Sequence, residues 1–126
     1  KKFITKVFNT KGYKSKEDKK NEIVLMIYLM RADGIISDEE KTYMADYIGN
    51  LDSFTNAEKQ QFFDLMNIRI LPELTEKDVE FSSEDKSKEV LANLKDLAKT
   101  DGEFANKEQS LIEQIKGLMM KQIEEK

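Results

Sequence analysis

Eight consecutive apolar residues, Ile23 to Met30, constrain this chain more than any other stretch. The run is too short to cross a bilayer, which takes about 20 apolar residues. Wound as a helix it is apolar on every side, so other elements must surround it. Ser15-Lys16-Glu17-Asp18 reads as a capping box that opens this helix, which is predicted to run to about Arg31. The domain is therefore expected to be built around one central helix.

The remaining sequence supplies the surround. Ser37-Asp38-Glu39-Glu40 is a second capping box, followed by Tyr43, Met44, Tyr47, Ile48 and Leu51 at helical spacing. Thr55-Asn56-Ala57-Glu58 is a third, followed by Phe62, Phe63, Met66 and Ile70 on one face. Pro72 is predicted to close that helix, since its ring clashes with the preceding turn. A short helix over about Thr75 to Phe81 comes next. Ser82 or Ser83 then caps a helix with Val90, Leu91, Leu94, Leu97 and Ala98 inward. The last helix spans about Asn106 to Glu124, with Leu111, Ile112, Ile115, Leu118, Met119 and Ile123 inward. No alternating strand pattern of useful length interrupts the series. The 126 residues thus read as one all-α domain, a compact bundle of five or six helices with short links.

Charge divides the chain. Residues 1–20 hold eight lysines against Glu17 and Asp18, while the remainder holds 13 basic and 23 acidic groups. The division predicted is a flexible basic arm over residues 1–16 and a single acidic helical domain over 17–126. For the arm two readings stand. One is a solvated leader. The other is a contact to anionic lipid or a partner through Phe3, Ile4, Val7 and Phe8 among the lysines. The acidic body would repel phosphates, so nucleic acid is not an expected partner.

The chain contains no cysteine and no histidine. Thiolate chemistry, the commonest general base and the softer metal ligands are excluded. Oxygen ligands remain, and these favour hard cations such as Ca²⁺ or Mg²⁺.

One acidic turn occurs twice. At an offset of 68, Arg31-Ala32-Asp33-Gly34 lies over Lys99-Thr100-Asp101-Gly102, and a glutamate follows each aspartate seven residues later, Glu40 and Glu108. The flanks agree: Met26 over Leu94, Leu29 over Leu97, Tyr43 over Leu111, Met44 over Ile112, Tyr47 over Ile115. This predicts an internally repeated helix–turn–helix. Each glycine suits the left-handed residue that ends a helix. Each glutamate falls at a helix N-terminus, where the dipole favours negative charge. If the turns meet, Asp33, Glu40, Asp101 and Glu108 form a shared acidic patch. A purely structural account exists for part of it. Glu40 is the partner of Ser37 in a capping box, and aspartates before glycine often bond the turn backbone. Glu108 has no such account, because Ala105 offers no capping side chain.

An EF-hand loop has Gly at position 6, an apolar residue at 8 and Glu at 12. Gly34, Ile36 and Glu40 satisfy these positions, as do Gly102, Phe104 and Glu108. Positions 1 and 3 become Leu29 and Arg31, then Leu97 and Lys99, so the ligands required there are missing. Neither turn is an independent calcium loop.

The paired pattern Ala32-Asp33-Gly34-x-Ile36-Ser37-x-x-Glu40 and Thr100-Asp101-Gly102-x-Phe104-Ala105-x-x-Glu108 resembles the tellurite-resistance TerB-like domains, over roughly residues 20–122. The resemblance implies a compact fold of about seven helices, so the bundle is expected to hold about six to seven. It implies a non-enzymatic stress-response role in the bacterial cytoplasm, with membrane-peripheral association through a membrane-associated protein partner. It also implies a divalent cation, Ca²⁺, Mg²⁺ or Mn²⁺, at Asp33, Glu40, Asp101 and Glu108. Asn106 and Lys107 replace the acidic pair Asp38 and Glu39 in the second unit, which breaks the symmetry of such a site. The alternative is a metal-free interaction module that docks a basic partner on its acidic surface. No substrate groove is legible, and no enzyme activity is expected.

Overall fold

The computed structural model describes residues 16–32, 36–100 and 106–125; the side chains of residues 97–100, 106–108 and 123–125 lie outside that description. The described residues hold five α-helices and one 3₁₀ helix and no strand. The expected count of about six to seven helices is not reached among them. Helix α1 is Lys16–Ala32, α2 Asp38–Gly49, α3 Asn56–Asn67, the 3₁₀ helix Glu76–Val79, α4 Glu84–Thr100 and α5 Asn106–Glu125. The basic arm and Ser15 of the first capping box lie outside the described residues, apart from Lys16.

Helix α1 is the axis of the bundle. Every residue from Asn21 to Met30 is buried, as an all-round apolar helix requires. It packs against α3, the 3₁₀ helix, α4 and α5. Helix α2 rests on α3, and α5 packs along α4 and the 3₁₀ helix. The inward stripes follow the helical periodicity of the sequence. Met44 and Ile48 of α2, Val90 and Leu94 of α4, and Ile112, Ile115 and Met119 of α5 are all buried in one core. No helix among the described residues is long and apolar enough to cross a membrane.

The caps set the helix starts. Thr55 Oγ1 accepts from the Glu58 backbone N–H at 3.2 Å, and Glu58 Oε1 accepts from Thr55 N–H at 2.8 Å. Ser83 caps α4, its Oγ accepting from Lys86 N–H at 3.0 Å. Asp18 does something its place in a capping box did not suggest. Buried to 1% exposure, its carboxylate accepts from Ser82 N–H at 2.8 Å and from Ser82 Oγ at 2.6 Å, which pins the entry of α4 to the start of α1. Asn21 works alongside, donating to the carbonyls of Lys77 and Glu80 at 3.0 and 2.7 Å.

Helix α3 ends earlier than Pro72 alone would stop it. Its last residue is Asn67, Ile68 is extended, and Ile70 is 77% exposed instead of facing inward. The cause is long-range. Arg31, at the end of α1, donates from Nη1 to the Leu65 carbonyl at 2.9 Å and from Nη2 to the Arg69 carbonyl at 3.3 Å. A cation on the last carbonyls of a helix satisfies acceptors that the helix leaves open and complements its dipole. Tyr28 reinforces the bend by donating to the Pro72 carbonyl at 2.6 Å. Arg31→Ala is expected to cost about 1.5–3 kcal/mol, the range for hydrogen bonds that involve a charged group. Arg31→Lys should recover little of it, because one ammonium lacks the planar fork. Chemical denaturation of the three proteins checks this.

Candidate functional site

The first acidic turn reaches the described structure at Ile36 and Ser37. Ile36 is buried. Ser37 is extended, with φ −67° and ψ 157°, and its Oγ accepts from Glu40 N–H at 3.2 Å. Glu40 Oε1 in return accepts from Ser37 N–H at 3.1 Å and from Ser37 Oγ at 2.8 Å. Glu40 is therefore a buried carboxylate whose orientation is set by its own helix cap. Asp38 and Glu39 beside it are exposed.

Asp33 and Asp101 lie outside the described residues. Glu108 falls in the first turn of α5, third from its start as Glu40 is third in α2, and its side chain lies outside the description. No group of three or more acidic side chains placed to hold a metal occurs among the described residues. Ala32, which precedes Asp33, and Ser110, two residues after Glu108, line the same groove of about 430 Å³. Tyr28, Arg31, Leu71, Leu111 and Gln114 supply its other walls. The offset of 68 is also kept by the helices. Lys16–Ala32 corresponds in number to Glu84–Thr100, and the starts of α2 and α5, Asp38 and Asn106, correspond likewise.

A second polar group lies deep in the bundle. Glu22 of α1 is 1% exposed and Lys86 of α4 is 5% exposed. Burial, with the Glu89 carboxylate adding to it, pushes the Glu22 carboxyl up from 4.5 to about 7, while the Lys86 ammonium and a hydrogen bond from Asn93 pull it back. Burial, with the nearby Glu22 charge adding to it, pushes the Tyr47 hydroxyl of α2 up to about 12. Lys19 Nζ stands 5.6 Å from the Tyr47 ring centroid. This group was not singled out by motif. A signal was present: stepping back one turn from Val90 and Leu94 on the inward stripe of α4 lands on Lys86, a charge where the pattern calls for an apolar residue.

Together these features define an all-helical module packed around α1. The tellurite resistance protein TerB family matches residues 19–123, and the chain belongs to that family. No curated protein and no solved structure gives a significant match.

Proposed function

We propose that this chain is a non-enzymatic TerB-type stress-response module. Its two acidic turns hold one divalent cation, Ca²⁺, Mg²⁺ or Mn²⁺, between Asp33, Glu40, Asp101 and Glu108, and it acts in the cytoplasm with a membrane-associated protein partner. The observation that supports the cation most is the shared groove. Ala32, at the end of α1, and Ser110, near the start of α5, line one cavity. The donor chemistry fits. A chain with no histidine or cysteine offers oxygen ligands, which suit hard cations. The Ser37 cap fixes one carboxylate before any ion arrives, which lowers the ordering cost of binding.

Amide chemical shifts followed during Ca²⁺, Mg²⁺ and Mn²⁺ titration test the cation. Residues flanking both turns should move with one common midpoint, and Glu108→Gln should weaken binding about tenfold or more, the loss expected from removing a supporting group. If only one turn responds, or neither does at about millimolar metal, the shared site is wrong.

Glu40 also favours the metal-free alternative, because its carboxylate already serves Ser37. In that case the acidic surface alone docks a basic partner. Complexes with that partner would then weaken with salt and survive EDTA.

A further inference from the structure

Helix α1 begins at Lys16, and the basic arm that leads into it is residues 1–15. The arm carries Lys1, Lys2, Lys6, Lys11 and Lys14 and no acidic residue. Its apolar residues Phe3, Ile4, Val7 and Phe8 are spaced so that in helical form they share one face, with Lys2 and Lys6 off it. A segment of this kind suits a groove with apolar walls and an acidic margin.

Such a groove stands beside the start of α1. Tyr43 and Tyr47 of α2, with Leu51 just beyond its end, follow one another at one-turn steps. Together with Asp46 and Asn50 they line a depression of about 370 Å³. The two tyrosines are half-buried and Asp46 is exposed. Asp38, Glu39 and Asp52, all exposed, extend the negative charge along α2 and the loop after it. The first turn of α1 reaches the same place. Lys19 Nζ stands 5.6 Å from the Tyr47 ring centroid, and Lys16 Nζ stands 5.2 Å from that of Phe54. Phe54 N–H in turn donates to the Leu51 carbonyl at 3.3 Å. The arm therefore joins the bundle next to the groove. Residues Asn9 to Ser15 link Phe8 to Lys16, and this stretch spans up to about 23–25 Å when extended, enough to return Phe8 to α2. The groove at Ala32 lies at the opposite end of α1, about 24 Å along the helix axis, at the limit of the same linker.

We infer that the basic arm docks on the protein's own α2. Phe3, Ile4, Val7 and Phe8 seat against Tyr43, Tyr47 and Leu51, and the arm's lysines face Asp46 and its acidic neighbours. Aromatic rings meeting at the groove and lysines over tyrosine faces supply the attraction, as Lys19 already does on Tyr47. Opposite charge sets the orientation. The docked arm keeps its apolar face from lipid and from other proteins. None of this requires a cation at the acidic turns.

A spin label on the arm tests the docking. The chain has no cysteine, so Thr5→Cys gives a single attachment point, off the apolar face of the arm. In the whole chain, at low salt and without metal, the label should erase the amide signals of Tyr43 to Leu51. Those of Ser110 to Gln114, at the other groove, should remain. Phe3→Ser with Phe8→Ser should restore the α2 signals. Asp46→Lys, at an exposed position where folding should be unchanged, should restore them in part. Intact α2 signals in the labelled chain, loss centred on the Ala32 groove, or a pattern unchanged in either variant would each overturn the inference. Vesicles of phosphatidylserine and phosphatidylcholine probe the other occupant. The α2 pattern should persist in their presence. Binding to the vesicles through Phe3 and Phe8, with recovery of the α2 signals, would assign the arm to the membrane instead.

Discussion

Leu25→Ala is expected to cost about 3–5 kcal/mol, a loss that leaves a protein of ordinary stability barely folded. Leu25 is fully buried near the middle of α1, and α1 is enclosed by α3, the 3₁₀ helix, α4 and α5. The side chain lost there leaves a void that no single neighbour can close, because four elements would have to move inward together. Ile70→Ala is the contrast. The same kind of truncation at a 77% exposed position should change stability by no more than about 0.5 kcal/mol. Urea unfolding of both variants checks the pair. Equal costs would mean that α1 is not the closely packed axis.

The second large effect is a stability that falls as pH rises through the neutral range. Glu22 has its folded carboxyl at about 7 against an ordinary 4.5. The folded state therefore holds this proton more tightly than the unfolded chain does. Below about 4.5 both states are protonated and the group is neutral in its effect. Between 4.5 and about 7 the unfolded chain ionises first, and stability is lost progressively. Above about 7 the loss is complete and corresponds to about 3 kcal/mol. Glu22→Gln should abolish most of this slope and be the more stable protein above neutral pH. Denaturation midpoints measured from about pH 4.5 to about pH 8.5 give the answer. A flat wild-type profile over that range would contradict the assignment. Glu58 acts in the opposite sense at lower pH. The Lys16 ammonium, 2.7 Å away, and the Thr55 N–H hold its carboxyl down to about 2. Its contribution is present above about 4.5 and is lost as pH falls toward 2, outside the Glu22 window.

Several assignments were legible because they depend on neighbours in the chain. The Ser37–Glu40 and Thr55–Glu58 boxes form as read, since a cap and its partner are three residues apart. Met44 and Ile48, or Val90 and Leu94, face inward because helical spacing sets their side before anything packs on them. The pattern Asp33-Gly34…Glu40 with Asp101-Gly102…Glu108 pointed to a TerB-like domain, and the family match over residues 19–123 agrees. The end of α3 was misjudged for a different reason. Local sequence offered Pro72 as the stop, whereas Arg31, 34 residues from Leu65 in the chain, takes the carbonyls that a longer helix would have used.

The sequence by itself determined that a helix spanning Ile23 to Met30 must be surrounded, because eight apolar residues in a row leave no face for water. It also determined where most of the surrounding helices begin. Only the tertiary structure decided what the polar residues of α1 do. Asp18 holds Ser82, and Glu22 became a buried acid opposite Lys86, Glu89 and Asn93. The reason is physical. Periodicity and capping act over one or two turns, whereas the protonation of a carboxyl depends on the water and charge that distant segments place around it.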